Sequence, residues 1–99
     1  MYYKLKKDTI SYLNDKELDF SLRGFRYLGY ILENYDDLFD YKITNVYKEV
    51  GRKFNSTASS VDRCLRHLFS KVDNKKNNKK MIVEMIVEYE IVKEQENIT

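Results

Sequence analysis

The sequence predicts an all-α fold: a small helical bundle that contains a helix-turn-helix and ends in a helical tail. Three observations carry this expectation. The 99 residues include no Pro and only three Gly, so few breaks are written into the chain and helices can run long. Hydrophobic residues make up 42% of the chain, enough for one core but, at this length, not for two. Those residues recur at steps of three and four along successive segments, the spacing that gathers side chains on one helix face.

The elements follow in order. Leu5, Ile10 and Leu13, with Tyr12 beside them, predict a first helix over about 3–15, weakened by Thr9 and Ser11. Residues 16–19 read as a connection. Ser21 then stands as a candidate N-cap for a second helix over about 22–35, striped by Leu22, Phe25, Leu28, Leu32 and Tyr35. Residues 36–40 form an acidic loop with Leu38 and Phe39 as apolar anchors. Ile43, Val46, Tyr47, Val50 and Phe54 give one clean face for a third helix over about 43–54. Gly51 interrupts that helix at a cost of about 1 kcal/mol relative to Ala, which points to close helix packing there. Asn55, Ser56 and Thr57 favour turns and caps over helix interiors, and Ser56 or Thr57 is placed to cap a fourth helix over about 58–72. Its inward positions are Ala58, Val61, Leu65, Leu68 and Val72, with Cys64 and Phe69 beside them.

The remaining chain divides into a basic polar linker, 73–80, with no apolar residue, and an apolar, acidic tail, 81–99. Residues 1–72 are thus expected to form the domain proper. Ile82, Met85, Ile86, Tyr89 and Val92 fit a helix in the tail, while its β-branched content and the alternation at 88–91 fit a strand. Helix is the preferred reading, because no partner strand is evident. The apolar face of the tail is too large to stand exposed on a monomer. It is expected to pack on the domain or to pair with a second copy, which makes the tail a candidate dimerisation element and the chain a homodimer.

Charge is unevenly placed. Residues 1–41 carry a net −2, residues 42–80 a net +8 and residues 81–99 a net −4. A basic block of this kind usually meets a polyanion. Cys64 stands alone, so no internal disulfide forms and a cytoplasmic setting is the default. The longest apolar stretch, 81–92, is broken by Glu84, Glu88 and Glu90 and is too short to span a bilayer. One His and one Cys nearly exclude a metal site built from those residues, and no catalytic triad or Gly-rich phosphate loop is present. No enzyme activity, cofactor, membrane or small-molecule substrate is expected. Richness in Lys, Asn, Ile and Tyr with no Trp or Pro suits an AT-rich bacterial, plasmid or phage gene.

Two helices joined by a short polar turn inside the basic block form the helix-turn-helix pattern, whose partner is double-stranded DNA. With the apolar side of the fourth helix inward, Ser59, Ser60, Asp62, Arg63, Arg66, His67 and Ser70 face solvent. An arginine there can bridge guanine O6 and N7, and an aspartate can accept from cytosine N4.

The residues from 47 to 67 also carry a resemblance. The Lys53-Phe54-Asn55 and Thr57-Ala58-Ser59 core, and the ending Arg63…Arg66-His67, resemble the DNA-binding effector domain of the stage-zero sporulation protein A family, the sporulation master response regulators. A weaker likeness runs back through Arg23-Gly24-Phe25-Arg26-Tyr27-Leu28 and Ile43-Thr44, so the resemblance covers about 5–72 and fades beyond Val72. It implies an all-helical DNA-binding module, here without the family's receiver domain, that reads a short promoter box and often binds tandem boxes as a dimer. Carried over, Arg63 matches a base-reading arginine, Asp62 its acidic neighbour, and Arg66 and His67 residues at or near the DNA backbone. Ser60 departs from the pattern, which places a base-reading arginine there, so the preferred site is expected to differ.

The resulting expectation puts base contacts at Ser60, Asp62, Arg63 and Arg66, and phosphate contacts at Arg52, Lys53, Ser56, Thr57, Ser59, His67 and Lys71. The competing reading is a protein-binding module on the same scaffold, engaging an RNA polymerase subunit or another regulator.

Overall fold

The computed structural model describes residues 3–72 and 77–98. It is all-helical among those residues, with α1 (Lys7–Asp15), α2 (Arg23–Asn34), α3 (Ile43–Lys53), α4 (Ala58–Ser70) and α5 (Asn78–Ile98). Helix α2 is the centre. Phe25, Tyr27, Leu28, Tyr30, Ile31 and Leu32 are all buried, so it is enclosed on most sides, as expected of a helix apolar around most of its circumference. Helices α1, α3, α4 and α5 all pack against it.

The crossing with α4 is a close one, made possible by Gly24. A Cβ at that position would stand 2.5 Å from the Cys64 carbonyl oxygen and 3.1 Å from the Leu68 Cβ, so only glycine lets α4 lie this near α2. Val61, Leu65, Leu68 and Phe69 fill the contact and are 0–2% exposed.

Helix α1 stops where Glu17 turns left-handed, at φ 63°. The Leu18 N–H then donates to the Leu13 carbonyl at 3.3 Å and the Glu17 N–H to Asn14 at 2.9 Å. This is the Schellman arrangement, with buried Leu18 and Leu13 at the positions that usually touch. Ahead of α1, Glu33 receives the Tyr3 hydroxyl at 2.6 Å and the Lys6 N–H at 2.7 Å, which fastens the first residues to α2.

Several sequence expectations are corrected by tertiary context. Ser21 does not cap α2; its N–H and hydroxyl both donate to Asp19 Oδ1, and Leu22 occupies the cap position without a side-chain bond. Ile10 is exposed while Thr9 is buried, so the inner face of α1 is Thr9, Tyr12 and Leu13. Leu38 anchors the acidic loop, but Phe39 is 87% exposed. Val72 lies beyond the end of α4 and is exposed.

The tail is a helix, and its start falls inside the stretch read as linker. Residues 78–80 belong to α5, whereas residues 73–76 lie outside the described part. The Lys80 N–H donates to Asn77 Oδ1 at 2.8 Å, an N-cap bond that starts the helix. Met81, Ile82, Met85, Ile86 and Tyr89 are buried against the rest of the chain, so the face offered either to the domain or to a second copy is used within the domain. A polar seam ties it to α1. Thr9 and Tyr89 share a hydrogen bond of 2.8 Å, and the Tyr12 hydroxyl donates to Glu88 at 2.8 Å. Lys16 pairs with the same carboxylate.

Two outcomes follow from this packing. Ile86→Ala is expected to lower unfolding free energy by about 2–4 kcal/mol, the usual cost of truncating a buried aliphatic side chain; urea titration checks it, and a cost near zero would contradict the packing of α5. The Lys16 ammonium, followed by the Tyr12 hydroxyl, holds the Glu88 carboxyl below its ordinary value of 4.5. A carboxyl depressed on folding stabilises above its unfolded value and loses that contribution as pH falls through the folded one. The stability gap between the protein and Glu88→Gln is therefore expected to be open at pH 7 and to close as pH falls past 4.5 and through the lowered folded value; it is small because Glu88 is half exposed.

Candidate nucleic-acid interface

Helices α3 and α4 are joined by a turn whose bonds are all local. Asn55 takes the left-handed conformation, at φ 57°. The Ser56 N–H returns to the Gly51 carbonyl at 2.6 Å and the Asn55 N–H to Arg52 at 3.5 Å, closing α3 in a second Schellman arrangement. Thr57 then caps α4, its Oγ1 accepting from the Ser60 N–H at 3.1 Å. The reason for Gly51 is visible here: a Cβ would stand 2.9 Å from the Ser56 carbonyl oxygen and 3.0 Å from the Thr57 carbonyl carbon. The close contact is thus made not by a packed helix, as the sequence suggested, but by the turn backbone folding over the end of α3.

This geometry sets the rotation of α4. With Val61, Leu65, Leu68 and Phe69 on the core, the exposed residues are Ser59, Arg63, Arg66, His67 and Ser70. Four of them, at 59, 63, 66 and 70, recur at steps of four, three and four and make one outward stripe. Among the described residues, no hydrogen bond or ion pair engages the Arg63 guanidinium. Arg66 is 70% exposed and pairs with the Asp62 carboxylate one turn earlier.

The proposed base-contact residues therefore differ in surroundings. Arg63 and Arg66 are open. Ser60 is half-buried, with its N–H already used by the Thr57 cap. Asp62 is also half-buried and both of its oxygens are engaged: Oδ2 by Arg66, and Oδ1 by the Asn78 amide at 3.1 Å.

The phosphate-contact candidates fall in two groups. Arg52, Lys53, Ser56, Thr57 and Ser59 surround the turn; all but Ser56 are exposed. The Lys53 ammonium lies over the Tyr3 ring, 5.7 Å from its centroid. Tyr3, Tyr27, Tyr30 and Phe54 stack edge to face behind it and support that end of α3. His67 and Lys71 lie toward the other end of α4, on the side of Asp19, whose carboxyl is held low chiefly by its two bonds from Ser21, with Lys71 adding to them.

Sequence reasoning missed Asn78 and Tyr47. Asn78, assigned to a solvated linker, is buried and donates to the Asp62 carbonyl oxygen at 3.0 Å as well as to Oδ1. The Tyr47 phenol is pushed up to about 12, chiefly by burial, against the opposing effect of the Asn78 amide. The available signal was an asparagine pair, the residue type that caps helices, two lysines ahead of the apolar run that opens at Met81. A groove of about 390 Å³ lies between Tyr47, Asp62, Arg66, Asn78 and Lys79.

Among the described residues, no cluster of His, Cys, Asp and Glu is arranged to hold a metal ion, and no helix is long and apolar enough to cross a membrane. One family model matches the chain, over residues 10–99: sporulation initiation factor Spo0A, C terminal. The match extends past Val72, where the residue-by-residue likeness ends, and includes all of α5. Neither the curated proteins nor the solved structures contain a match.

Thr57→Ala is expected to cost about 1 kcal/mol through loss of the cap. Gly51→Ala is expected to cost about 1–3 kcal/mol, the range for forcing extra atoms into a filled contact. Denaturant unfolding of the two variants checks both; a stabilised Gly51→Ala, as ordinary helix propensity would give, contradicts the close approach.

Proposed function

The chain belongs to the Spo0A C-terminal family of DNA-binding regulators, and we propose that it is a sequence-specific transcriptional regulator that sets α4 into the major groove of double-stranded DNA. The observation that carries this reading is the outward stripe of α4. Ser59, Arg63, Arg66 and Ser70 project from a helix whose opposite face is wholly buried, next to a turn bordered by Arg52 and Lys53. A helix held in this way can enter a groove with its first turns leading, while the preceding helix crosses the backbone.

Arg63 is the leading base reader, because its guanidinium is exposed in the N-terminal half of α4 and engaged by no hydrogen bond or ion pair among the described residues. Arg66 is the second, and Ser60 and Asp62 border the pair. Serine at position 60, in place of the arginine expected from the resemblance, removes one bidentate donor worth about 1–3 kcal/mol of discrimination. The preferred box is therefore proposed to differ from that of arginine-bearing relatives. Arg52, Lys53, Ser56, Thr57, Ser59, His67 and Lys71 are the proposed phosphate contacts, which set register without reading sequence.

Homodimerisation on paired half-sites remains part of the proposal, but on a different surface from the one the sequence suggested. The face containing Ile82 and Ile86 is buried in the chain, whereas Val87 and Ile91 are 51% and 49% exposed on the outer side of α5.

Fluorescence anisotropy against a random duplex pool at two salt concentrations tests the DNA reading. Affinity is expected to fall steeply with salt, since each neutralised phosphate releases counterions. Arg63→Ala is expected to keep most of that salt-dependent affinity and to lose base preference at one position. No binding at low salt would sink the proposal, and an unchanged base preference would remove Arg63 from its role.

A further inference from the structure

We infer that Asn78 is a positioning residue for recognition: it fixes the Asp62 carboxylate and, through it, aims the Arg66 guanidinium. The inference deepens the reading of α4 as a DNA-contacting helix and rests on it. Asn78 opens α5, and it is buried while Asn77 and Lys79 on either side are exposed. Its single amide nitrogen donates twice to one residue of α4, to the Asp62 carbonyl oxygen at 3.0 Å and to Oδ1 at 3.1 Å. The remaining oxygen, Oδ2, is the one that holds Arg66.

Taken alone, the Asp62–Arg66 pair would hold little. An exposed ion pair four residues apart on a helix is screened by water and loses side-chain entropy on forming. The Asn78 amide changes this by removing the rotational freedom of the carboxylate from outside the helix. Tyr47, itself buried, borders the same groove as Asn78, Asp62 and Arg66. Asp62 then offers Arg66 a fixed acceptor, and the guanidinium is held on one edge while it keeps other N–H donors for a base or phosphate. A donor ordered before binding loses less freedom on binding. Asp62 thus enters the recognition surface through Arg66, and α5 contributes to specificity through one buried amide.

The test uses the full chain and two duplexes, one carrying the best site obtained by selection from random DNA and one scrambled. Asn78→Ala is expected to lower the affinity ratio between them about fivefold, within the range for one well-placed arginine contact, and to leave the salt slope unchanged. Made in an Asp62→Ala background, the same change is expected to give no further loss. Ile86→Val, a core change in α5 that leaves Asp62 untouched, is expected to leave the ratio unchanged. If Asn78→Ala does not fold, Asp62→Asn probes the link from the other side, since it keeps an acceptor for Asn78 but removes the charge that holds Arg66; the same fivefold fall is expected. Wild-type binding with an unchanged ratio in the Asn78 or Asp62 variant overturns this inference alone, as does an equal loss in Ile86→Val. Absence of any wild-type duplex binding overturns it together with the reading on which it rests.

Discussion

The arrangement depends on the passage of α4 across α2 at Gly24, where the backbone of one helix meets the backbone of the other. Close passage lets Val61, Leu65, Leu68 and Phe69 bury completely, and four such residues permit only one rotation of α4 about its axis. Turning the helix by one residue would carry charged groups toward the core, where an unpaired charge is costly. The outward stripe of Ser59, Arg63, Arg66 and Ser70 is the complement of that inner face. Gly51 sets the second limit, because the turn must fold over the end of α3 before Thr57 can cap α4. The face that α4 turns outward is therefore set by two small residues buried inside the fold.

Helix α5 converts an uneven charge order along the chain into a separation in space. Its first residues, Asn78 to Lys80, lie beside the exposed side of α4, where Asn78 grips Asp62. Its carboxylates come later, at 84, 88, 90, 94 and 96. At 1.5 Å per residue, Glu90 and Glu94 stand roughly 15–20 Å along the axis from Lys80, beyond the screening length of about 8–10 Å at moderate salt. Glu88, nearer, is neutralised by Lys16 and bonded by Tyr12. Glu84, one turn after Lys80, lies inside that screening length, so the separation holds for the later carboxylates of α5 and not for the whole tail.

Much of the fold was legible because its causes are local. Apolar steps of three and four located α2, α3 and α4 to within one or two residues, and the Asn55–Thr57 turn was readable from residue types that prefer turns and caps. What escaped depends on contacts between distant segments. Ile10 fits the apolar stripe of α1 as well as Thr9 does by spacing, yet Thr9 is buried because Tyr89, eighty residues away, supplies its hydrogen bond. Ser21 was a sound cap candidate, but Asp19 two residues earlier captures it. Of the candidate site, the exposure of Arg63 and Arg66 was legible in helical periodicity. Asn78 was not, since a buried asparagine in a lysine–asparagine run has the same spelling as a solvated one.

The central claim is that the outward face of α4 is the surface that meets DNA. It is tested most directly by following backbone amide resonances while a duplex carrying the selected site is titrated into the labelled protein. The account predicts that the largest shifts fall on Ser59, Ser60, Arg63, Arg66 and His67 and on the turn at Asn55–Thr57, with the outer residues Val87 and Ile91 of α5 little changed at protein-to-duplex ratios that keep one copy bound. Shifts concentrated elsewhere, with the α4 stripe unmoved at saturation, would contradict it.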